Sequence, residues 1–201
     1  PGGTYVDVTY GGGGHSNEIL KRLEDDGRLI AFDQDEQAIG NKIEDKRLLL
    51  LHNNFRYIKR FLRYYNALPV DGILADLGIS SHQIDEAERG FSTRYDASLD
   101  MRMDHRKAKT AATILNTYEE ERLKNLFQIY AELNESGRIS KLITQARTQH
   151  PITTIQQLKD ILKPITPFGK EHKFLAQVFQ ALRIEINEEI QALQELLLQT
   201  P

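Results

Sequence analysis

The stretch "YVDVTYGGGGHS" at residues 5–16 joins a β-branched and aromatic run to four consecutive glycines. A helical pattern, "NEILKRLEDDG", follows from residue 17. Four glycines leave a length of bare backbone that costs conformational entropy and that a single tight turn does not need. The stretch therefore predicts a β-strand, a glycine-rich loop and a helix, with the loop backbone lying against a ligand at the start of the helix.

Three more apolar runs alternate with helical patterns after the glycines. These runs are apolar on both faces, as strands are in a parallel sheet that is covered by helices on each side. We therefore predict a doubly wound α/β domain, with Ser16 as the N-cap of its first helix. The predicted strands are 4–10, 27–35, 47–52 and 70–78, and the predicted helices between them are 16–25, 36–45 and 55–65.

The pattern changes after the fourth predicted strand. Residues 79–107 are polar and without a clear period, which predicts a long functional or poorly ordered loop. Only helical patterns follow, at 108–117, 119–134, 137–149, 154–163 and 172–199, and Thr153 or Thr154 is suited to cap the fourth of these. A four-stranded parallel sheet has an unpaired edge at its last strand. We expect either further strands after residue 201 or a cover over that edge.

Composition excludes several classes of protein and site. The 201 residues are 40% hydrophobic and 27% charged, as in ordinary globular domains, and no apolar run is long enough to cross a membrane. The net charge of -3 requires nucleic-acid binding to use a local basic patch, for which 56–63 and 102–109 are candidates. The absence of cysteine excludes disulfides, thiolate metal sites and a cysteine nucleophile from these residues, and it fits a reducing, cytoplasmic location.

Four features are predicted to meet at the carboxyl edge of the sheet, where open α/β sheets bind ligands. They are the glycine loop, Asp33 at the end of the second strand, Phe55 just past the third and Asp76 at the end of the fourth. An acid at this position suits a ribose, and an aromatic ring suits an adenine, so the set indicates an adenosine-containing cofactor. The dinucleotide fingerprint would require a third glycine where Ser16 stands, which disfavours a nicotinamide-dependent oxidoreductase and leaves S-adenosylmethionine as the better fit.

Several motifs resemble, in order, those of the bacterial 16S ribosomal RNA cytosine-N4 methyltransferases. The matching stretches are "DVTYGGGGHS", "AFDQD", "DGILADLGISSHQID", "RGFS", "LDMRMD" and "FQALRIEINEEI". The resemblance extends from Gly3 to about Leu198. One departure is "YAELNE" at 130–135, where the family has a "YGEE"-like stretch.

The resemblance implies a Rossmann-like class I methyltransferase sheet with an inserted helical domain that recognises the substrate. It places the methyltransferase domain at 1–85 and 176–201 and the RNA-recognition insertion at 86–175, with the last strands of the family absent from the chain. It implies that S-adenosylmethionine is bound by Gly13, Gly14, His15, Asp33, Phe55, Asp76 and Gln83. We expect a Cβ at Gly13 or Gly14 to intrude on the cofactor, and Gly11 and Gly12 to matter less.

The family acts on a cytosine in the decoding centre of the small ribosomal subunit, so 16S rRNA is the expected partner. Methylation of cytosine at C5 would need a covalent nucleophile, normally a thiolate, so an exocyclic nitrogen is consistent with a chain that lacks cysteine. No metal is required, no catalytic residue is assigned, and the oligomeric state stays open, with a homodimer among the alternatives. The alternative function is a non-catalytic RNA-binding module that retains the fold.

Candidate substrate contacts follow from position and from the resemblance. Asp76 and the hydroxyls of Ser80 and Ser81 are placed to orient the cytosine amine, although the two serines also suit a simple turn. The arginines of the long loop are candidates for phosphate contacts. They are Arg89, Arg94, Arg102 and Arg106. Arg183 lies in an apolar helical pattern and is expected to pair with an acid, with a substrate role as the alternative.

Overall fold

The computed structural model describes residues 2–200 and contains one four-stranded parallel sheet in that range. The strands are β1 (Thr4–Asp7), β2 (Arg28–Asp33), β3 (Leu48–His52) and β4 (Gly72–Leu74). Their order is β3-β2-β1-β4, so the chain moves outward from β1 to β3 and then returns to the other side of β1. Because β1 pairs with both β2 and β4, the order of the sheet reverses beside β1.

The described residues also form ten α-helices, as expected for an α/β chain with a long helical second half. They are α1 (Gly14–Arg22), α2 (Glu36–Gly40), α3 (Ile58–Tyr64), α4 (Ser81–Asp85), α5 (Ala111–Thr117), α6 (Glu120–Ala131), α7 (Ser136–Arg147), α8 (Ile155–Leu162), α9 (Glu171–Asn187) and α10 (Glu189–Leu197). Short 3₁₀ turns lie at Phe55–Tyr57, Ala87–Arg89 and Lys163–Ile165. Among residues 2–200, no helix combines the length and the apolar character that crossing a bilayer requires.

Both faces of the sheet are buried, and the alternation of side chains along β2 shows how. Ile30 and Phe32 pack with residues of α3 and α10, including Ile58, Leu62 and Leu196. Leu29 and Ala31 point to the opposite face, where they pack with residues of α1 and α2, including Leu20 and Ala38. A strand that is apolar on both faces therefore has two separate hydrophobic clusters to fill, which confirms the predicted doubly wound sheet.

The chain divides into two compact units. The sheet unit comprises residues 1–80, 103–105 and 189–201, and the helical unit comprises 81–102 and 106–188. In the helical unit α6 packs against α7 and α9, with Leu123, Phe127 and Leu182 fully buried. The boundary expected at 175/176 falls inside α9, all of which belongs to the helical unit. The functional division between cofactor binding and RNA recognition stays a prediction.

Most predicted elements have different bounds in the structure; the strand expected at 70–78, for example, is only Gly72–Leu74, and the helix expected at 36–45 is Glu36–Gly40. The helix expected at 172–199 is two helices, because Glu188 adopts a left-handed conformation with φ 53° between α9 and α10. The polar stretch 79–107 contains α4 and a 3₁₀ turn, so it is not a loop throughout. β1 ends at Asp7 and not at residue 10, although Val8 N and Tyr10 N still donate to the carbonyls of Leu74 in β4 and Phe32 in β2.

Ser16 is not the N-cap of α1, contrary to the prediction. Gly13 takes that position with φ 77°, so the helix starts at Gly14 and Ser16 lies within its first turn. The Ser16 side chain is fully buried, and its hydroxyl donates to Asp7 Oδ2 at 2.7 Å. The prediction failed because a contact with a distant carboxyl group, invisible in the local pattern, uses the hydroxyl. Thr154, by contrast, caps α8 as predicted, in a capping box with Gln157.

Candidate functional site

The glycine loop between β1 and α1 has two positions with left-handed backbone. Gly11 has φ 52° and Gly13 has φ 77°, conformations that strain residues with a Cβ atom. At Gly13 a Cβ atom would also lie 2.8 Å from the hydroxyl oxygen of Tyr10 and 3.1 Å from Ile43 Cδ1. Gly13 is therefore required by the protein itself, whether or not a ligand is bound.

Gly12 and Gly14 differ from their neighbours, because a Cβ atom at either position would have no heavy atom within 4 Å. Both residues are exposed, and Gly14 is the first residue of α1. Gly11 has its own part in the backbone, since it is left-handed and donates its N–H to Asp33 Oδ2 at 2.7 Å. That it matters less than Gly13 and Gly14 for the cofactor stays a prediction. The space above Gly14, together with helix N–H groups, is suited to a ligand that lies against the loop.

Asp33 is the last residue of β2, and its carboxyl group binds two backbone N–H groups, one in the glycine loop and one just after β2. Its Oδ2 accepts from Gly11 N, and its Oδ1 accepts from Asp35 N at 2.8 Å. Burial raises the pKa of the Asp33 carboxyl above 3.8, and the nearby charge of Asp35 adds to this, while the backbone hydrogen bonds oppose it. A carboxylate has about four lone-pair sites, so the group can still accept a hydroxyl donor from a ligand.

Asp7, at the end of β1, is fully buried beneath the glycine loop. Its two carboxyl oxygens accept from Ser16 Oγ at 2.7 Å and from Thr9 N at 3.0 Å. The Thr9 hydroxyl in turn accepts from Asp76 N at 2.7 Å. Asp7 thus connects the start of α1, the glycine loop and the end of β4. Sequence reasoning missed this role, although an acid inside an apolar strand was the available signal.

Asp76 lies beyond β4, at the point where the order of the sheet reverses. Its Oδ2 is 3.2 Å from His15 Nε2 in the first turn of α1. Both side chains are well exposed, at 71% for Asp76 and 58% for His15. The structure therefore places side by side two residues that the resemblance assigns to the same cofactor, and it leaves both accessible to a ligand.

Phe55 follows β3 in a 3₁₀ turn that Asn54 caps. Asn54 Oδ1 accepts from Arg56 N at 2.9 Å, and the Arg56 guanidinium pairs with both oxygens of Glu195, at 2.8 and 2.6 Å. Phe55 itself is half-buried and packs at the border of the core cluster that contains Phe32. Its ring therefore has one side against the protein, and the turn that carries it is held from both ends.

The sheet unit thus gathers Gly13, Gly14, His15, Asp33, Phe55 and Asp76 at the carboxyl edge of its strands. Ser80 belongs to the same unit, and a Cβ atom on Gly11 would lie 3.7 Å from Ser80 Cβ. The set offers backbone amides with open space, two acids and an aromatic ring. This donor and acceptor set suits a nucleoside with a charged tail.

The remaining predicted residues belong to the helical unit, where each has its own surroundings. Ser81 is exposed at the start of α4, and Gln83, in the same helix, is buried. Arg183 lies half-buried in α9, and its carbonyl accepts from the Asn187 side chain at 2.9 Å. Arg94 is exposed and lies 3.3 Å from Asp85, and Arg106 is exposed.

Two of the loop arginines are built into the helical unit. Arg102 pairs with both oxygens of Asp100, at 2.8 and 2.7 Å, and donates to the Lys107 carbonyl at 2.6 Å. Arg89 is only 5% exposed and donates to the Arg102 carbonyl at 3.0 Å. In this conformation both guanidinium groups stabilise the loop. Their contact with phosphate stays a prediction.

Comparison with known proteins gives a match along the whole chain. Residues 1–201 match the model of the MraW methylase family. A protein of Christiangramia forsetii named ribosomal RNA small subunit methyltransferase H is 58% identical over 200 residues, which is 100% of this chain and 66% of that protein. Proteins of the same name from Bacteroides fragilis and Flavobacterium johnsoniae are 54% and 52% identical, over 98% and 100% of this chain and 65% and 66% of their own lengths. The chain spans about two thirds of the length of these curated relatives.

Proposed function

Because the chain belongs to the MraW methylase family, we propose that it carries the cofactor site and the RNA-recognition part of a ribosomal RNA methyltransferase. The methyl donor is S-adenosylmethionine, and the acceptor is the exocyclic N4 of a cytosine in the decoding centre of 16S rRNA. The sheet unit binds the cofactor and the helical unit binds RNA of the small ribosomal subunit, in the cytoplasm. The names of the relatives, which specify methylation of small-subunit ribosomal RNA, support this proposal.

One observation carries the cofactor assignment. The glycine loop, Asp33 at the end of β2, the aromatic turn after β3 and Asp76 after β4 lie along the same edge of the sheet, and the strand order reverses beside β1. Ligands of open α/β sheets bind at this place. The open space above Gly14 adds to this argument, because a Cβ atom there would occupy a position that the protein itself leaves empty.

S-adenosylmethionine, when bound, supplies a methyl group on a positively charged sulfur. The neutral thioether that remains after transfer is a good leaving group. The backbone at Gly13 and Gly14 binds the methionine end, with His15 above it, and Asp33 accepts hydrogen bonds from the ribose. Phe55 borders the adenine. Asp76 and the Ser80 hydroxyl orient the cytosine amine, which is a poor nucleophile and needs a well-defined approach to the methyl group. The alternative attack from C5 would need a thiolate, and the 201 residues contain no cysteine.

Methyl incorporation from labelled S-adenosylmethionine tests the proposed activity directly. We expect 30S particles or 16S rRNA to be methylated at N4 of cytosine, and free cytidine or a short oligonucleotide to be a far weaker acceptor. The reason is that binding energy from a large RNA surface, read by the helical unit, supports orientation at the reacting amine. RNA binding without methyl transfer would instead identify a non-catalytic RNA-binding module. Efficient methylation of a short single strand would contradict the ribosomal substrate.

The raised pKa of Asp33 predicts a pH dependence of cofactor binding. Ribose hydroxyls donate to the ionised carboxylate, so affinity should fall as the pH drops through the pKa of Asp33, beginning above the ordinary value of 3.8. Asp33→Ala should weaken binding by about 1.5–3 kcal/mol at neutral pH, as expected for lost hydrogen bonds to a charged group. Isothermal titration from about pH 4 to about pH 8, the range in which a carboxyl with a raised pKa ionises, measures both effects.

Asp33→Asn is the matched control for the pH profile, since its side chain is similar in size and does not titrate. Its affinity should be lower at neutral pH and should change less than that of the parent protein on acidification. Equal slopes for the two proteins would show that another group causes the pH dependence. Unchanged affinity in a folded Asp33→Ala protein would place the ribose elsewhere.

A further inference from the structure

Met103, from the "LDMRMD" motif, lies in the sheet unit and contacts Gln34, the residue after Asp33. Residues 103–105 belong to the sheet unit, although the residues on either side belong to the helical unit. The Met103 side chain is buried, at 6% exposure, and its sulfur accepts from Gln34 Nε2 at 3.3 Å. The hydrogen bond from the amide to the buried thioether is specific to methionine, because leucine would fill a similar volume without accepting a hydrogen bond.

Gln34 links this sulfur to the ends of two strands. It follows Asp33 directly, and its Oε1 accepts from Asn54 Nδ2 at 3.0 Å. Its backbone carbonyl lies 3.2 Å from His52 Nε2, at the end of β3. The Gln34 side chain therefore connects Met103 on one side with Asn54 on the other.

The contacts from Met103 through Gln34 to Asn54 lead to Asp33 and Phe55, the two residues that would hold the adenosine. Asn54 caps the 3₁₀ turn that carries Phe55, and Gln34 shares a peptide bond with Asp33. The separation between the ribose-binding acid and the aromatic ring depends on how the ends of β2 and β3 are held together. The Gln34 amide donates from Nε2 to the Met103 sulfur and accepts at Oε1 from Asn54, so both of its polar atoms have a partner that holds them.

We propose that Met103 is a positioning residue for the adenosine half of the cofactor, acting through Gln34 and Asn54 on Asp33 and Phe55. The proposal rests on the proposed function, because it assigns a new residue to the same S-adenosylmethionine site. Met103 does not take part in methyl transfer. Its effect is confined to the affinity for ligands that contain adenosine.

The composition of the chain allows a direct spectroscopic test. Met101 and Met103 are its two methionines, so protein labelled with ¹³C at the methionine methyl groups gives two methyl signals. Met101 is fully buried in the helical unit and provides the matched control. Saturating S-adenosylmethionine or 5′-methylthioadenosine, both unlabelled, should move the Met103 signal more than the Met101 signal. The variants Met101→Leu and Met103→Leu assign the two signals.

Titration of the same variants measures the energetic effect. Met103→Leu should weaken S-adenosylmethionine and 5′-methylthioadenosine by the same factor, about three- to tenfold, because the Gln34 amide loses its acceptor. Met101→Leu should leave both affinities unchanged. In a Gln34→Leu background the further change Met103→Leu should have little effect, since the amide that needs the sulfur is gone. If Met103 only supported the fold, Met103→Leu would lower the thermal stability, and its effect on affinity would add in full to that of Gln34→Leu.

The outcomes separate this inference from the proposed function. Binding of both ligands to the parent protein, with an unmoved Met103 signal and normal affinity in Met103→Leu, would overturn the positioning role alone. A loss of affinity for S-adenosylmethionine with none for 5′-methylthioadenosine would also overturn it, because the effect would then lie on the amino-acid tail. Absence of binding by the parent protein would overturn the cofactor assignment and this inference together.

Discussion

The Gly14→Val protein is expected to bind no measurable S-adenosylmethionine while unfolding at nearly the same temperature as the parent. A Cβ atom at residue 14 meets no heavy atom within 4 Å, and Gly14 is exposed, so we expect the substitution to leave the fold unchanged. The same side chain would fill the space that we assign to the methionine end of the cofactor. We expect a loss of affinity of at least about 100-fold, which corresponds to about 2.7 kcal/mol.

Thermal unfolding with and without S-adenosylmethionine measures both parts of this prediction, because a bound ligand raises the unfolding temperature by mass action. Gly12→Ala is the matched control, since residue 12 also has open space around its Cβ position and should keep binding. Gly13→Ala is unsuitable as a probe, because its backbone strain and its contact with Tyr10 would lower stability as well. Full ligand-induced stabilisation of Gly14→Val would show that the cofactor does not lie on this loop.

Asp7→Ala is expected to produce the largest loss of stability among the substitutions considered. The Asp7 carboxyl is fully buried and accepts from the Ser16 hydroxyl and from Thr9 N. Alanine would leave both donors without this acceptor and would open a small cavity between β1 and α1. A buried donor without a partner costs about 1–3 kcal/mol, so we expect a loss of about 3 kcal/mol in the free energy of unfolding.

Urea unfolding of the parent and variant proteins checks this value. Asp71→Ala is the matched control, because Asp71 also accepts a backbone N–H, from Thr4 at 2.7 Å, but at an exposed position. Its loss should be below about 1 kcal/mol, as for an exposed hydrogen bond. Equal losses for the two variants would contradict the special role of Asp7. The Asp7→Asn variant keeps one acceptor oxygen and should be intermediate.

Local patterns were sufficient for the α/β sheet and for the order of its elements. Strands that are apolar on both faces have no stable place except between two helical layers, and β2 shows this with Leu29 on one face and Ile30 on the other. The four strand ends could likewise be assigned to one edge, because parallel strands must point the same way. The motif "LDMRMD" indicated the family without indicating what its residues contact.

Contacts between distant residues decided what the sequence could not. Ser16 has the local signature of an N-cap, yet it bonds to Asp7, nine residues earlier, because the turn at Gly13 starts the helix sooner. Arg102 looks like a free surface arginine in the polar loop, yet Asp100 and the Lys107 carbonyl hold its guanidinium. A periodicity reports which face of an element is apolar, and it carries no information about the partner of a single polar group.

The amino-acid sequence by itself determined the parallel sheet, the glycine loop and the set of residues that meet at the carboxyl edge. These depend on chain direction, on continuous apolar runs and on backbone freedom, which are local properties. Only the tertiary structure decided which glycines the protein needs for its own backbone, that Asp7 supports the loop from below and that Met103 contacts Gln34. Each of these depends on distances between side-chain and backbone atoms that are set only when the chain has folded, as between Gln34 Nε2 and Met103 Sδ, 69 residues apart in the chain.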